Sequence, residues 1–117
     1  MIISAIKSKD ASDKRSVLHP ETIKNLISKG IEIIFESGIG DGIHADDKNF
    51  IDLGAKSVSR ESCFSDAEII LTPGPIDDHE VKLIASGKTL IGMVSPFDNQ
   101  ELLKSLCDSN IYLVSME

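Results

Sequence analysis

Short apolar runs alternate with helix-like segments along the whole chain, and this alternation limits the possible folds more than any other feature. It is clearest after position 19, where Pro20 suits the first turn of a helix and Gly30 the residue that ends it. The mostly apolar, β-branched segment 31–35 follows at once, as expected for a buried parallel strand. Helices placed between such strands predict a parallel sheet with right-handed crossovers.

The same pattern continues over the rest of the chain. Strands are predicted at residues 2–6, 31–35, 56–58, 67–71, 89–94 and 111–114, and helices from Pro20 to the residue before Gly30 and at 46–53, 60–64, 77–85 and 99–107. Asp77 or Asp78 is the expected N-cap of the fourth helix. Together these elements predict an α/β fold, with a Rossmann-like (flavodoxin-like) parallel sheet flanked by helices in three layers.

The length and the charge of the chain limit its domain count and the classes of partner it can bind. A chain of 117 residues is long enough for one domain with a real core, and we expect residues 1–117 to form it. A net charge of −7 argues against nucleic acid as a partner. No apolar run approaches the roughly 20 residues that cross a bilayer. Because the chain stops at Glu117, directly after a predicted core strand, we expect it to be a fragment of a longer polypeptide.

The glycine-rich turn after the second predicted strand invites a phosphate-binding interpretation, but its spacing does not fit one. In Gly38-Ile-Gly40-Asp-Gly42 the third glycine falls one place too early for GxGxxG. The turn also follows the second strand and not the first, so its glycines are expected to serve the turn itself. The histidines and cysteines have neither metal-ligand spacing nor a nucleophile–base arrangement, so no metal and no catalytic residue is predicted.

Arg15 is the best single candidate for a ligand contact. Its loop leaves the carboxyl end of the first predicted strand, where open α/β sheets bind ligands, and a guanidinium there can grip a carboxylate or phosphate through two parallel hydrogen bonds. The more frequent alternative is a surface arginine paired with Asp10, Asp13 or Glu21. Sequence alone leaves both interpretations open.

Several segments together resemble one family, the N-terminal domain shared by the alpha subunit of proton-translocating NAD(P) transhydrogenase and alanine dehydrogenase. The similar segments are Lys14-Arg15 with Pro20-Glu21-Thr22, Glu36-Ser-Gly38-Ile-Gly40, Asp46-Asp47-Lys48-Asn49-Phe50 with Gly54-Ala55, Ala67-Glu68-Ile69-Ile70-Leu71 and Asn99-Gln100-Glu101-Leu102-Leu103. They run from one end of the chain to the other. The resemblance therefore concerns the whole domain and not a single motif.

The transhydrogenase branch of the resemblance implies the N-terminal part of an NAD(H)-binding component. Such a component passes hydride between NAD(H) and NADP(H), the latter held on a partner component, while a membrane component moves protons. The implied partners are these NADP-binding and membrane parts, with a homodimer in the full-length protein and a position at the cytoplasmic face of the inner membrane. The family's main nucleotide-holding elements, including its GxGxxG domain, would lie beyond Glu117, so the isolated chain is expected to be inactive.

The alanine dehydrogenase branch implies another function, an NAD-dependent amino-acid dehydrogenase. Those enzymes hold the substrate carboxylate with an arginine, a lysine and a histidine. Arg15 matches the arginine, whereas the lysine position falls at about Gly74 and the histidine position at about Ser95 or Pro96. These departures favour the transhydrogenase branch. A third possibility is a non-catalytic binding or assembly module, because the chain contains no catalytic constellation.

Overall fold

The computed structural model describes residues 1–116, and the six strands within them form one parallel sheet. The strands are β1 (Ile2–Ala5), β2 (Glu32–Glu36), β3 (Lys56–Val58), β4 (Ile69–Thr72), β5 (Thr89–Gly92) and β6 (Tyr112–Ser115), and the helices are α1 (Pro20–Ser28), α2 (Asp47–Asp52), α3 (Arg60–Ser65), α4 (Asp78–Leu83) and α5 (Gln100–Asp108). A short 3-10 helix, Asp41–Ile43, lies between β2 and α2. The predicted alternation of strands and helices is confirmed.

The strands lie in the order β3-β2-β1-β4-β5-β6, and every neighbouring pair is parallel. This is the doubly wound Rossmann order, in which the chain winds outward from the centre of the sheet first to one side and then to the other. A flavodoxin would have the order 2-1-3-4-5. The predicted Rossmann-like α/β fold is thus confirmed, and the strand order identifies which doubly wound arrangement the chain adopts.

Helices pack on both faces of the sheet and give the predicted three layers. On one face, Ile23 of α1 and Phe50 of α2 pack with Phe35 of β2, and the two phenylalanine rings meet edge to face at 5.5 Å between centroids. On the other face, α3, α4 and α5 pack against the sheet through residues such as Val81 and Leu106. Two hydrophobic clusters, one for each face, therefore hold the domain together.

The ends of several elements differ from the predicted ones by one to two residues. Strand β4 begins at Ile69 instead of residue 67, and β5 ends at Gly92 instead of residue 94. Helix α4 stops at Leu83 because Ile84 is already extended, with φ −89° and ψ 125°. Asp77 is its N-cap: the carboxylate accepts a hydrogen bond from the amide of Glu80, whose side chain accepts one from the amide of Asp77.

The last strand, β6, differs from its prediction in its position within the sheet. The sequence predicts a core strand, but β6 lies at the edge of the sheet and is covered on one face only by the described residues. Tyr112 is 67% exposed and Val114 is 47% exposed, while the neighbouring Ile111 is buried against the α5 side. The prediction is wrong here because sequence periodicity does not show which strands end up at a sheet edge.

Candidate functional site

The centre of the sheet contains a topological switch point. Strands β1 and β4 are neighbours, but the connection after β1 runs towards β2 and the connection after β4 runs towards β5. The two loops therefore diverge above the carboxyl ends of the strands and leave a crevice, the usual ligand position in such sheets. A cleft of about 410 Å³ lies there, lined by Ser8, Asp10, Asp13, Arg15, Pro73, Gly74, Pro75, Met93 and Ser95.

Arg15 crosses this cleft. Its Nε donates to Oδ1 of Asp13 at 2.9 Å, and its Nη2 donates to Oδ2 of the same carboxylate at 2.7 Å. Nη2 also donates to the carbonyl of Pro73 at 2.8 Å, and Nη1 lies 2.9 Å from Sδ of Met93. The arginine thus links the loop after β1 to the loops after β4 and β5, while its side chain remains 56% exposed.

The structure selects Asp13 from the three partners that the sequence left open. The two-point contact with the Arg15 guanidinium holds the pKa of the Asp13 carboxyl well below its usual range. Asp10 instead accepts hydrogen bonds from the amide and hydroxyl of Ser12. In this arrangement Asp13 occupies the face of the guanidinium that could grip an anion, so the substrate-binding role of Arg15 stays a prediction.

The positions that the resemblance aligns with a lysine and a histidine do converge on Arg15. Gly74 and Ser95 both line the same cleft, although they are 21 residues apart in the chain. Ser95 has a positive φ of 50°, which turns the loop after β5 back over the sheet edge. The cleft thus brings all three positions together, but among the described residues that line it Arg15 is the only cation.

Backbone amides of the glycine-rich turn donate their hydrogen bonds to acceptors within the domain. The amide of Gly38 donates to Oδ1 of Asp47 at 2.8 Å, and the amides of Ile39 and Asp41 donate to the carbonyls of Glu36 and Gly38. A phosphate-binding loop must instead point such amides at its ligand. The structure therefore supports the sequence-based interpretation of residues 38–42 as a turn.

Gly42 is required at its position because two loops meet there. A Cβ atom on Gly42 would lie 2.0 Å from the carbonyl oxygen of Lys14, directly beside Arg15. The glycine lets the turn after β2 pack against the loop after β1 and so fixes the segment from which Arg15 projects.

A second arginine, at the same sheet edge, has no signal in the sequence that identifies it. Arg60, at the start of α3, donates from Nε to Oε2 of Glu80 at 2.5 Å and from Nη1 to Oε1 of Glu36 at 2.9 Å. Nη1 also donates to the carbonyl of Lys7 at 2.8 Å, and the guanidinium lies 5.6 Å from the centroid of the Phe64 ring. We call Arg60, Glu36, Glu80 and Lys9 the Arg60 network.

The Arg60 network joins the loop after β1 to three other elements. Lys9 adds ion pairs to Asp77 and, at 3.1 Å, to Glu80. Burial alone would raise the pKa of Glu80, but the hydrogen bond from Arg60 and those from Asp77 and Lys9 bring it below its ordinary value. The contacts span 20 to 71 residues of sequence, so no local motif reveals them. The one local signal is the Asp77–Glu80 capping box.

The remaining candidate groups do not form a site. His19 precedes α1 at the N-cap position but makes no side-chain capping bond, and His79 is exposed on α4. Cys63 is buried, and this burial raises the pKa of its thiol to about 12, whereas Cys107 is exposed on α5. Within residues 1–116, no three histidine, cysteine or acidic side chains come together as metal ligands would.

The sheet order defines a Rossmann-type α/β domain, and the switch-point cleft crossed by Arg15 lies at the carboxyl ends of β1 and β4. The sequence matches the family model described as "Alanine dehydrogenase/PNT, N-terminal domain" over residues 5–117. Because this match covers nearly the whole chain, the protein belongs to that family. The resemblance noted in the sequence is confirmed.

Similar proteins come from several branches of the family. A Rickettsia prowazekii protein named as the first part of NAD(P) transhydrogenase subunit alpha is 32% identical over the whole chain, and the N(5)-(carboxyethyl)ornithine synthase of Lactococcus lactis subsp. lactis is 30% identical over 87% of it. The match spans 32% of each of these relatives. An alanine dehydrogenase of Staphylococcus haemolyticus is 25% identical over 91% of the chain, which corresponds to 28% of that enzyme.

Two solved structures share the fold closely. A transhydrogenase from Sinorhizobium meliloti superposes with a TM-score of 0.91 over the whole chain at 24% identity, and an L-alanine dehydrogenase with a TM-score of 0.89 over 98% of the chain at 21% identity. The chain covers 35% and 32% of those proteins. It therefore spans about a third of the length of the relatives it matches. Among the described residues, no helix is long and apolar enough to cross a membrane.

Proposed function

We propose that this chain is the N-terminal part of the NAD(H)-binding component of an NAD(P) transhydrogenase, which transfers hydride between NAD(H) and NADP(H) in a reaction coupled to proton translocation. The observation that carries the proposal is the 32% identity, over the whole chain, to the Rickettsia relative named for the alpha subunit of that enzyme. The hydride chemistry belongs to the two cofactors, so the protein has to position them and exclude water.

The chain's own residues fit one wall of a nucleotide site and not a complete site. The sequence contains no GxGxxG, and the amides of Gly38, Ile39 and Asp41 in the turn already bond within the domain. A dinucleotide pyrophosphate needs free amides at a helix N-terminus. The phosphate-holding elements would therefore come from polypeptide outside residues 1–117, and this domain would close the other side.

Arg15 is the residue through which we expect this wall to contact an anionic group of the bound ligand. It lies at the switch point, it is more than half exposed, and its guanidinium already holds a carboxylate in a two-point geometry. A ligand carboxylate or phosphate would take the place of Asp13, with the same pair of parallel hydrogen bonds. The contacts to Pro73 and Met93 would keep the guanidinium in place during this exchange.

The partners follow from the same proposal. An NADP-binding component and a membrane component would complete the enzyme, the full-length protein would be a homodimer, and the assembly would lie at the cytoplasmic face of the inner membrane. What supports this is the name of the Rickettsia relative, which denotes a portion of one subunit in a larger enzyme. This domain would take part as a peripheral component.

Alanine dehydrogenase-like activity on an amino acid is the second candidate, because Arg15 lies where that branch holds its substrate carboxylate. The residues that line the same cleft argue against this activity. Gly74 and Ser95 stand at the positions of the expected lysine and histidine, so Arg15 would have to hold and orient the substrate without them. A site that lacks two of three polar anchors loses most of its ability to orient the carboxylate.

The test is an assay of the natural gene product combined with its NADP-binding and membrane components. We expect NADPH-dependent reduction of the acetylpyridine analogue of NAD, and no pyruvate-dependent oxidation of NADH. Arg15→Ala should weaken the first activity, whereas Lys104→Ala, a change at an exposed residue of α5, should leave it unchanged. Absence of analogue reduction by the complete assembly would overturn the proposal. Pyruvate-dependent turnover that Arg15→Ala abolishes would establish the second candidate.

A further inference from the structure

Two contacts join the loop after β1 to the segment after β4, one at each end of that segment. At the first end, Nη2 of Arg15 donates to the carbonyl of Pro73 at 2.8 Å. At the second end, Nζ of Lys9 donates to Oδ2 of Asp77 and lies 3.1 Å from Oε1 of Glu80. The segment between Pro73 and Asp77 lines the switch-point cleft. The loop after β1 is therefore fastened across the cleft at both ends.

The carboxylates that hold Lys9 belong to a rigid part of the fold. Asp77 caps helix α4, and its capping box with Glu80 contains two hydrogen bonds. Glu80 is also held by Arg60, whose Nε lies 2.5 Å from Oε2. The hydrogen bond to Asp77 raises the pKa of the Lys9 ammonium, so the cation is present at neutral pH. Lys9 thus ties a loop to the fixed start of a helix.

The loop segment between Lys9 and Arg15 forms neither a helix nor a strand. Hydrogen bonds within it are local: the amides of Ser12 and Asp13 donate to the side chain and the carbonyl of Asp10. A segment stabilised by such local contacts takes its place over the sheet from the points where it is attached to other elements. The position of Arg15 across the cleft therefore depends on Lys9 as well as on the arginine's own contacts.

Lys14 provides a contrast within the same loop. It carries the same charge, but among residues 1–116 its ammonium has no ion-pair partner. Its backbone carbonyl, and not its side chain, packs against Gly42. Removal of the Lys14 side chain changes the charge of the loop as much as removal of that of Lys9, yet it cuts no attachment to α4. The two lysines therefore separate an effect of anchoring from an effect of charge.

We propose that Lys9 is a positioning residue for Arg15: its ion pairs with the start of α4 hold the loop after β1 in the place from which the Arg15 guanidinium reaches across the cleft. The inference rests on the proposed function, in which Arg15 contacts an anionic group of the bound ligand. Lys9 acts through the loop, because its ammonium is already paired with two carboxylates. A displacement of about 1 Å at a ligand contact can cost up to about 100-fold in rate.

The first measurement uses the 117-residue chain and the NMR signal of the Met93 methyl group. This signal reports the position of Arg15, because Nη1 lies 2.9 Å from Sδ of Met93. We expect Lys9→Ala to move the signal towards its position in Arg15→Ala, Lys14→Ala to leave it in place, and Lys9→Arg to restore it. Lys9 is 47% exposed, so the urea midpoint of Lys9→Ala should barely move. An unmoved Met93 signal in Lys9→Ala would overturn the proposal.

The second measurement uses the natural gene product assembled with its NADP-binding and membrane components. We expect Lys9→Ala to raise KM for the acetylpyridine analogue of NAD about five- to tenfold, with kcat changed less than about twofold, because binding is weakened equally in the ground and transition states. Lys9→Arg should recover most of this loss, and Lys14→Ala should match the parent enzyme.

An unchanged KM in Lys9→Ala, or an equal rise in Lys9→Ala and Lys14→Ala, would overturn the proposal. A parent assembly without transhydrogenase activity would refute the proposed function alone. The Met93 signal would then still decide whether Lys9 positions Arg15.

Discussion

Two arginines at the same edge of the sheet are both held by carboxylates, yet they lie in opposite environments. Arg60 is 21% exposed and contacts two acidic side chains from β2 and α4, a backbone carbonyl and an aromatic ring. Arg15 is 56% exposed, and its acidic partner lies two residues away in its own loop. Arg60 therefore joins elements of the fold, while Arg15 is placed where a ligand could reach it. Burial and sequence separation therefore distinguish Arg60, which holds the fold together, from Arg15, whose contact with a ligand stays a prediction.

The largest expected effect is that of removing Arg60. Arg60→Ala would leave Glu80, whose side chain is 8% exposed, without its main partner, and we expect a loss of roughly 3 kcal/mol in unfolding free energy. The measurement is urea unfolding followed by circular dichroism. Lys56→Ala, which removes an exposed ion pair with Glu32, is the matched control and should cost less than about 1 kcal/mol. Similar losses in both variants would remove the distinction between the two kinds of charge.

The next effect tests how tightly the Arg15 loop is packed. Gly42→Ala forces a Cβ to within 2.0 Å of the Lys14 carbonyl, so the two loops must separate at a cost of about 1–3 kcal/mol. Hydrogen exchange of the amides at residues 13–15 should also speed up. Gly74→Ala is the control, because its Cβ would meet only the Ser8 hydroxyl, at 3.4 Å. Unchanged exchange in Gly42→Ala would mean that the loop is not held by this contact.

Acid should weaken the Arg60 network. The folded-state pKa of Glu80 lies below its ordinary value, so its stabilising contribution is complete at neutral pH and is lost as the pH falls below about 4 and through the folded pKa. Glu80→Gln should lower stability at pH 7 and flatten this acid dependence. Urea unfolding at pH 7, 5 and 3 measures both. A variant whose stability falls with acid as steeply as that of the parent protein would exclude Glu80 as a source of the effect.

The smallest expected effect on stability is that of Arg15→Ala. An exposed ion pair contributes less than about 1 kcal/mol, so the midpoint of urea unfolding should barely move. The pKa of Asp13, which the guanidinium keeps well below its usual range, should rise towards the ordinary aspartate value, and carboxyl NMR shifts during a pH titration report it. A large loss of stability would make Arg15 a structural residue like Arg60.

Local patterns in the sequence are sufficient to predict the fold class. They locate all six strands and five helices, because β-branched runs, Pro20 and glycines that end helices are signals carried by adjacent residues. The strand order and the edge position of β6 are not predictable in this way, since they depend on pairings between residues far apart in the chain. For the same reason the sequence does not predict the ion pairs of Arg60, because its partners lie 20 and 24 residues away.

The candidate cleft is only partly predictable. The sequence predicts that the Arg15 loop leaves the carboxyl end of the first strand, and the structure shows it there beside Gly74 and Ser95 from the loops after β4 and β5. The choice of Asp13 as the partner of Arg15 needs coordinates, because three acidic residues are equally plausible from sequence.

We propose that these 117 residues form one wall of a nucleotide site and not the whole of it. The most direct test is a calorimetric titration of the isolated chain with NADH. We expect no saturable binding up to millimolar nucleotide, because the sequence offers no GxGxxG and the amides of Gly38, Ile39 and Asp41 bond within the domain. Saturable binding with a micromolar Kd, lost in Arg15→Ala, would contradict it and would make this domain a nucleotide-binding unit in its own right.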